Sequence, residues 1–318
     1  MRLLVTGGAG YIGSVVALHL LDAGHQVTVV DDLSTGHEDA VPSGAEFIKA
    51  GIHEITALLN GSGFDGVLHF AAKSLVGESV EHPERYWHNN VAGTMSLLDA
   101  VRAAGVPRFV FSSSAATYGE AAEVPITETT PAAPTNPYGA SKLAVDLMLA
   151  GEAAAHGLGA VSLRYFNVAG AVGRYGERHT TETHLIPIAL QVAAGTRDSL
   201  TIYGEDYPTP DGTCVRDYIH VADLARAHLL ALDAAAAGRH RVYNLGNGTG
   251  FSVRQVIDAV RSATGAPVPV TAGPRRAGDP ATLIASSARI RDELGWVPQR
   301  PSVAEMAADA WHFLKESG

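Results

Sequence analysis

The run Gly7-Gly8-Ala9-Gly10-Tyr11-Ile12-Gly13 constrains the fold more than any other part of this chain. Before it stands Arg2-Leu3-Leu4-Val5-Thr6, a short apolar run of strand type, and after it Ser14-Val15-Val16-Ala17-Leu18-His19-Leu20-Leu21 reads as a helix. Strand, glycine turn and helix in immediate succession are the context that a dinucleotide-binding turn requires. Gly7 permits the tight turn, Gly10 lets backbone amides approach a pyrophosphate, and Gly13 lets the helix pack closely on the strand. The dipole of the helix then faces the phosphates. A second strand, Gln26-Val27-Thr28-Val29-Val30, ends in Asp31-Asp32, with Asp31 placed 18 residues beyond Gly13. A carboxylate there accepts both ribose hydroxyls and repels a 2′-phosphate, so the expected cofactor is NAD rather than NADP.

The alternation continues. Ala45–Lys49, Gly66–Phe70, Arg108–Ser112 and Ala160–Arg164 read as buried parallel strands, and Tyr86–Ala104 and Tyr138–Ala155 as long helices. This pattern predicts an α/β fold, a doubly wound parallel sheet of Rossmann type. After Gly170 the pattern loosens, with Gly and Pro gathered in Tyr207-Pro208-Thr209-Pro210-Asp211-Gly212. Helices are expected near 185–194, 221–237 and 252–263, with a small strand at Arg241–Leu245. The expected organisation is a dinucleotide-binding domain over 1–170 and a smaller, mainly substrate-binding lobe over 171–318, with some exchange of chain between them.

A net charge of −10 and a pI near 5.7 argue against a nucleic-acid surface, which needs a basic face. One cysteine, Cys214, excludes an internal disulfide framework and suits a reducing cytoplasm. No membrane span or signal peptide is expected. The 14 histidines form no H-E-x-x-H or Cys/His set, so they read as scattered residues and no metal site is expected.

Tyr138 and Lys142 in Asn136-Pro137-Tyr138-Gly139-Ala140-Ser141-Lys142 stand four residues apart, on one face of a helix. A phenolate ready near pH 7 needs roughly 4 kcal/mol of help, because a free Tyr titrates near 10. The ammonium of Lys142 is its expected source. Ser114, at the end of Phe111-Ser112-Ser113-Ser114, is placed to hydrogen-bond a substrate hydroxyl beside Tyr138.

Taken together, Ser114, Tyr138 and Lys142 resemble the catalytic set of the extended short-chain dehydrogenases/reductases, and within them the chain is most similar to the UDP-glucose 4-epimerase family. The resemblance extends over almost the whole sequence. It rests on Thr6 to Ser14, His69-Phe70-Ala71-Ala72, Gly77-Glu78-Ser79, Asn89-Asn90-Val91, Phe111 to Gly119, Asn136 to Lys142, Arg164-Tyr165-Phe166-Asn167, Tyr207 to His220, Tyr243-Asn244-Leu245-Gly246 and Arg275 to Asp279. It implies that Gly7, Gly10, Tyr11, Ile12, Gly13, Asp31, Asp32, Ile52, Phe70, Ala71, Ala72, Lys73, Asn89 and Phe166, with Ser114, Tyr138 and Lys142, hold NAD. It further implies that Asn167, His184, Leu185, Thr201, Tyr203, Arg216, Arg276, Asp279 and Leu283, with Ser114 and Tyr138, hold a UDP-sugar. Two guanidiniums suit a diphosphate, and Tyr203 suits a flat uracil. Three positions depart from the family pattern. Gly51-Ile52 replaces an acid–hydrophobe pair, the lysine after the fourth strand comes one place early as Lys73-Ser74, and His184 stands where some relatives carry Asn.

The implied activity is inversion at C4 of a UDP-hexose through a 4-keto sugar, by a homodimer formed through the two long helices. Other 4-epimerised sugars, N-acetylated hexoses or pentoses, remain open. A nucleotide-sugar 4,6-dehydratase needs an Asp-Glu pair after the Ser114 position, where this chain has Ala115-Ala116. A non-catalytic dinucleotide-binding regulator usually lacks the Tyr or the Lys, and both are present.

Overall fold

A computed structural model describes residues 1–276 and 279–317. Its centre is a sheet in which β1 (Arg2–Thr6), β2 (Gln26–Asp31), β3 (Glu46–Lys49), β4 (Gly66–His69), β5 (Arg108–Ser114) and β6 (Gly159–Tyr165) pair in parallel. In space β6, β5, β4, β1, β2 and β3 follow one another, so the direction of chain progress reverses between β1 and β4. Ligands of such sheets bind at that reversal, beyond the carboxyl ends of the strands.

Side chains alternate across the sheet, and both faces are covered. Leu3, Val5, Val29 and Leu68 meet Val15, Val16 and Leu20 of helix α1 (Tyr11–Asp22), together with Leu224 and Ala231. Leu4, Val30, Val67 and Phe109 meet Leu97, Val101, Val145 and Leu149 on the other side. At about 25 cal/mol per Å² of apolar surface, these two layers dominate the stability of the sheet.

Two expectations are sharpened. The strand His240–Leu245, from the half of the chain expected to form mainly the smaller lobe, pairs in parallel with β6 and forms the seventh strand of the main sheet. The helix before it, Val221–Ala234, packs on α1 beneath that sheet. The chain thus crosses into the smaller lobe and returns, because the β6 edge and the apolar face beside α1 both need cover. The helix expected over Tyr86–Ala104 is present and begins at Pro83, but its middle, Trp87–Gly93, is a π-helical turn between Pro83–Tyr86 and Thr94–Ala104. Such widened turns recur at functional sites, and this one carries Asn89 and Asn90.

The smaller lobe has its own core, in which Ile186, Leu190, Ile202, Ile257, Val260 and Met306 meet. Its strands are short. Val215–His220 pairs with Asn167–Ala169, Gly250–Ser252 and Thr282–Leu283, and Leu200–Tyr203 pairs with Val270–Gly273.

Candidate active site

The glycine turn folds as its spacing demands. Gly7 has φ +74°, and a Cβ there would lie 2.5 Å from Ala71 N. A Cβ on Gly13 would lie 2.2 Å from Gly7 O. Gly10 has room for a Cβ, 3.4 Å from Gly7 O, so its bareness serves whatever approaches from outside. No side chain caps the N-terminus of α1, which leaves that end of the helix dipole to a ligand. Asp31, buried at the end of β2, accepts the amides of Ala9 (3.0 Å) and Leu33 (2.9 Å). Burial raises its pKa and those two amides oppose the rise. Asp32 is exposed and caps Ser34. These residues fit a dinucleotide: amides for phosphate and a fixed carboxylate for a ribose.

The neighbouring strand ends bring in the other expected cofactor residues. Phe70 and Ala71 donate to Thr6 O at 2.8 and 3.1 Å, which ties the Phe70-Ala71-Ala72-Lys73 segment to β1. Ile52 is buried under the π-helical turn, where Gly93 leaves it space. Tyr11 donates to Gly170 O at 2.6 Å, Ile12, in the first turn of α1, packs against the core, and Phe166 is buried beyond β6. Lys73 enters the hydrogen-bond network through its main chain: its amide and carbonyl both bond the side chain of Asn90, at 2.8 and 3.0 Å. Asn90 also reaches Ser141 at 3.0 Å, and Asn89 donates to it at 3.0 Å. Asn90, absent from the expected set, thus joins the cofactor-side loop to the Tyr138 helix. The only sequence signal for it is its place in Asn89-Asn90-Val91.

Tyr138 stands in the first turn of the helix Pro137–His156. Asn136 caps that helix, accepting from Gly139 N at 2.9 Å, and Pro137 fits the first turn. A Cβ on Gly139 would fall 2.3 Å from Ala116 O, so the helix abuts the short turn Ala115–Thr117 that Ser114 caps through Ala116 N (3.1 Å). That contact brings Tyr138 to Ser114. Burial raises the Tyr138 pKa, and the Ser114 hydroxyl opposes the rise.

Lys142 is buried, 2% exposed. Its Nζ donates to Ser112 O at 2.6 Å and lies 5.9 Å from the Tyr138 ring centroid. Burial pushes its ammonium down to about 7, against the attraction of Asp146. The two side chains share one helix face, as their spacing predicts. Desolvation acts on both partners and disfavours both charges. One helical turn further on, Asp146 Oδ2 accepts from Arg164 Nε (3.0 Å), Arg164 Nη2 (2.8 Å) and Ser113 (3.2 Å), a buried ion pair beneath the lysine.

The expected substrate residues are spread over several elements. Arg216 pairs with Asp279, and Leu283 lies opposite Arg216 in the paired strands. Leu283 packs against the cluster of Tyr118, Ile126 and Phe166. Arg276 lies over the Tyr203 ring at 4.0 Å, and Thr201 meets Thr271 at 3.1 Å one position before Ile202. Asn167 opens the short strand after Phe166, while Leu185 starts the helix Leu185–Ala193 and packs into the smaller core. His184 joins a different group, with Glu177, His179 and Glu182. The histidines are thus not all scattered, because the spacing Glu-x-His-x-x-Glu-x-His gathers four side chains with ligand atoms within 4.8 Å of one another. Of the Arg275–Asp279 stretch, Ala277 and Gly278 lie outside the described residues.

A further histidine is structural. His69 lies between Thr6 (2.7 Å) and Thr94 (2.8 Å), and burial lowers its pKa to about 3, so it is a neutral link between β1, β4 and the helix beyond the π-helical turn.

The family model of the NAD dependent epimerase/dehydratase family matches residues 3–246, ending one residue past the seventh strand of the main sheet. The chain belongs to this family. It is 56% identical over 319 residues to a UDP-glucose 4-epimerase of Corynebacterium glutamicum, covering 100% of this chain and 97% of the relative. A UDP-glucose 4-epimerase of Streptomyces lividans is 59% identical, covering 98% and 95%. Among solved structures, UDP-glucose 4-epimerase from Brucella ovis in complex with NAD superposes with a TM-score of 0.93 at 46% identity, covering 98% of each chain. The Bifidobacterium longum enzyme, in complex with NAD⁺ and UDP, superposes with a TM-score of 0.92 at 37% identity, covering 99% and 98%. Among the described residues no helix is long and apolar enough to cross a membrane.

The buried lysine generates a pH prediction. Its pKa falls from near 10.4 unfolded to about 7 folded. Between those values the unfolded chain binds the extra proton, so stability rises with pH. The unfolding free energy of the parent, minus that of Lys142→Met, should increase from about pH 7 to about pH 10 in urea titrations and be flat below that window. A flat difference throughout contradicts the lowered value.

Proposed function

We propose that the protein inverts the C4 centre of a UDP-hexose, interconverting UDP-glucose and UDP-galactose, with NAD as resident cofactor. The observation that carries this reading is the convergence of Tyr138 and Ser114 beyond β5, joined through Asn90 to the cofactor-side loop, with Ala115 and Ala116 where an eliminating enzyme needs an acid and a base. Likeness to UDP-glucose 4-epimerases over nearly the full length supports it.

NAD, when bound, supplies a reversible hydride acceptor. Gly7 and Gly13 shape the turn, Gly10 would leave room for its phosphates, and Asp31 would hold a ribose. Ser114 and Tyr138 bind the sugar 4-OH; Tyr138 removes its proton and later returns it to the 4-keto oxygen. Lys142 fixes the helix behind Tyr138 through Ser112 O. Arg216 and Arg276 bind the diphosphate, each charge-assisted contact being worth about 1.5–3 kcal/mol, and Tyr203 packs on the uracil. Gripping the nucleotide and leaving the hexose loose lets the 4-keto sugar turn over within the site.

Replacing Tyr138 with Phe should reduce turnover by about 10²–10⁴-fold while leaving bound NAD and UDP affinity essentially intact. Retention of more than about a tenth of the activity would rule out the proton path.

Leu283 is proposed to border the sugar 2-substituent. A branched side chain there offers an acetamide no hydrogen bond, and overfilling a packed site costs about 1–3 kcal/mol, or roughly 5- to 150-fold in kcat/KM. The parent should therefore prefer UDP-glucose and UDP-galactose over their N-acetylated counterparts, and Leu283→Ala should narrow that preference. Equal use by the parent, or no gain in the variant, removes Leu283 from the specificity argument.

A further inference from the structure

Glu177, His179, Glu182 and His184 stand on the loop between the strand Asn167–Ala169 and the helix Leu185–Ala193. One potential ligand atom from each lies within 4.8 Å of all the others. His184 Nδ1 is 2.8 Å from both Glu177 Oε1 and Glu182 Oε1. His179 Nδ1 is 3.1 Å from Glu177 Oε1 and 3.7 Å from Glu182 Oε2. A tetrahedral zinc ion with nitrogen and oxygen ligands about 2.0–2.2 Å away sets neighbouring ligand atoms about 3.3–3.6 Å apart. The four separations straddle that edge length.

A second observation also points to a ligand. Among the described residues His179 Nδ1 is buried and makes no well-directed hydrogen bond, although the Glu177 carboxylate lies 3.1 Å away. The carboxylates are well enclosed, the Glu177 side chain 9% exposed and that of Glu182 6%. Glu182 Oε1 is oriented by the amides of Thr183 (2.8 Å) and His184 (2.7 Å), the kind of outer support that metal ligands carry.

We propose that Glu177, His179, Glu182 and His184 form a closed, four-ligand site for a divalent transition-metal ion of the zinc class. Four protein ligands leave no open position, so the ion is structural rather than a Lewis acid. Its loop is tied across the cofactor side of the fold. Tyr11 donates to Gly170 O, His37 Nε2 meets Arg178 O at 2.9 Å, and Arg178 pairs with Asp39 at 2.8 Å. The metal would set the shape of this strap beside the glycine turn, independently of the reaction catalysed.

The test uses the untagged full-length protein. Strip it with a chelator, desalt it, and titrate it with zinc against a chromophoric competitor; load a second sample with cobalt(II). The expected result is one tight zinc per chain and the intense visible bands of tetrahedral cobalt. His179→Ala and Glu182→Gln should each weaken zinc binding by at least a hundredfold and abolish those bands. Failure of the parent to bind one equivalent at micromolar zinc overturns the proposal, as does equal affinity in the parent and both variants.

Discussion

The first turn of the helix Pro137–His156 reaches the end of β5 because Gly139 has no side chain: a Cβ there would stand 2.3 Å from the Ala116 carbonyl oxygen. Asn136 sets where the helix begins, and the glycine sets how close it comes. Everything proposed for Tyr138 depends on that approach. Ser114 caps the same short turn that the helix abuts, so the two hydroxyl-bearing residues share one rigid support. Sites built on packed elements hold their geometry better than sites on loops.

Beneath this contact the helix carries a column of polar groups at four-residue intervals: Tyr138, half-buried, then Lys142 and Asp146, both buried. Lys142 is held by one carbonyl, that of Ser112, and its charge is disfavoured by burial. Asp146 is held by Arg164 and Ser113 through Oδ2, while its Oδ1 is buried without a partner. Breaking such a buried pair by removing one member typically costs about 3–5 kcal/mol. The column therefore joins stability to chemistry: the group that fixes the helix behind Tyr138 is itself electrostatically expensive to bury.

Much of this was legible in the sequence, and the reasons are local. The glycine run, the Asp31 strand end and the Tyr138–Lys142 spacing each act through a few adjacent residues, and buried parallel strands announce themselves as continuous apolar runs. What stayed hidden depends on partners distant in the chain. His240–Leu245 looks like any short strand until the β6 edge is seen to need it. The π-helical turn at Trp87–Gly93 leaves the apolar periodicity on either side intact. The downward pull on Lys142 comes from burial, which spacing on one helix does not report. The four side chains from Glu177 to His184 follow no familiar metal motif, and only the folded loop brings them together.

The central claim is that one hydride leaves and returns to the same carbon without exchanging with solvent or requiring added cofactor. Incubating the purified protein with UDP-galactose deuterated at C4, with no NAD supplied, and following the products by NMR tests it directly. The account predicts UDP-glucose with deuterium retained at C4. Loss of the label to water, or no conversion until NAD is added, would contradict it.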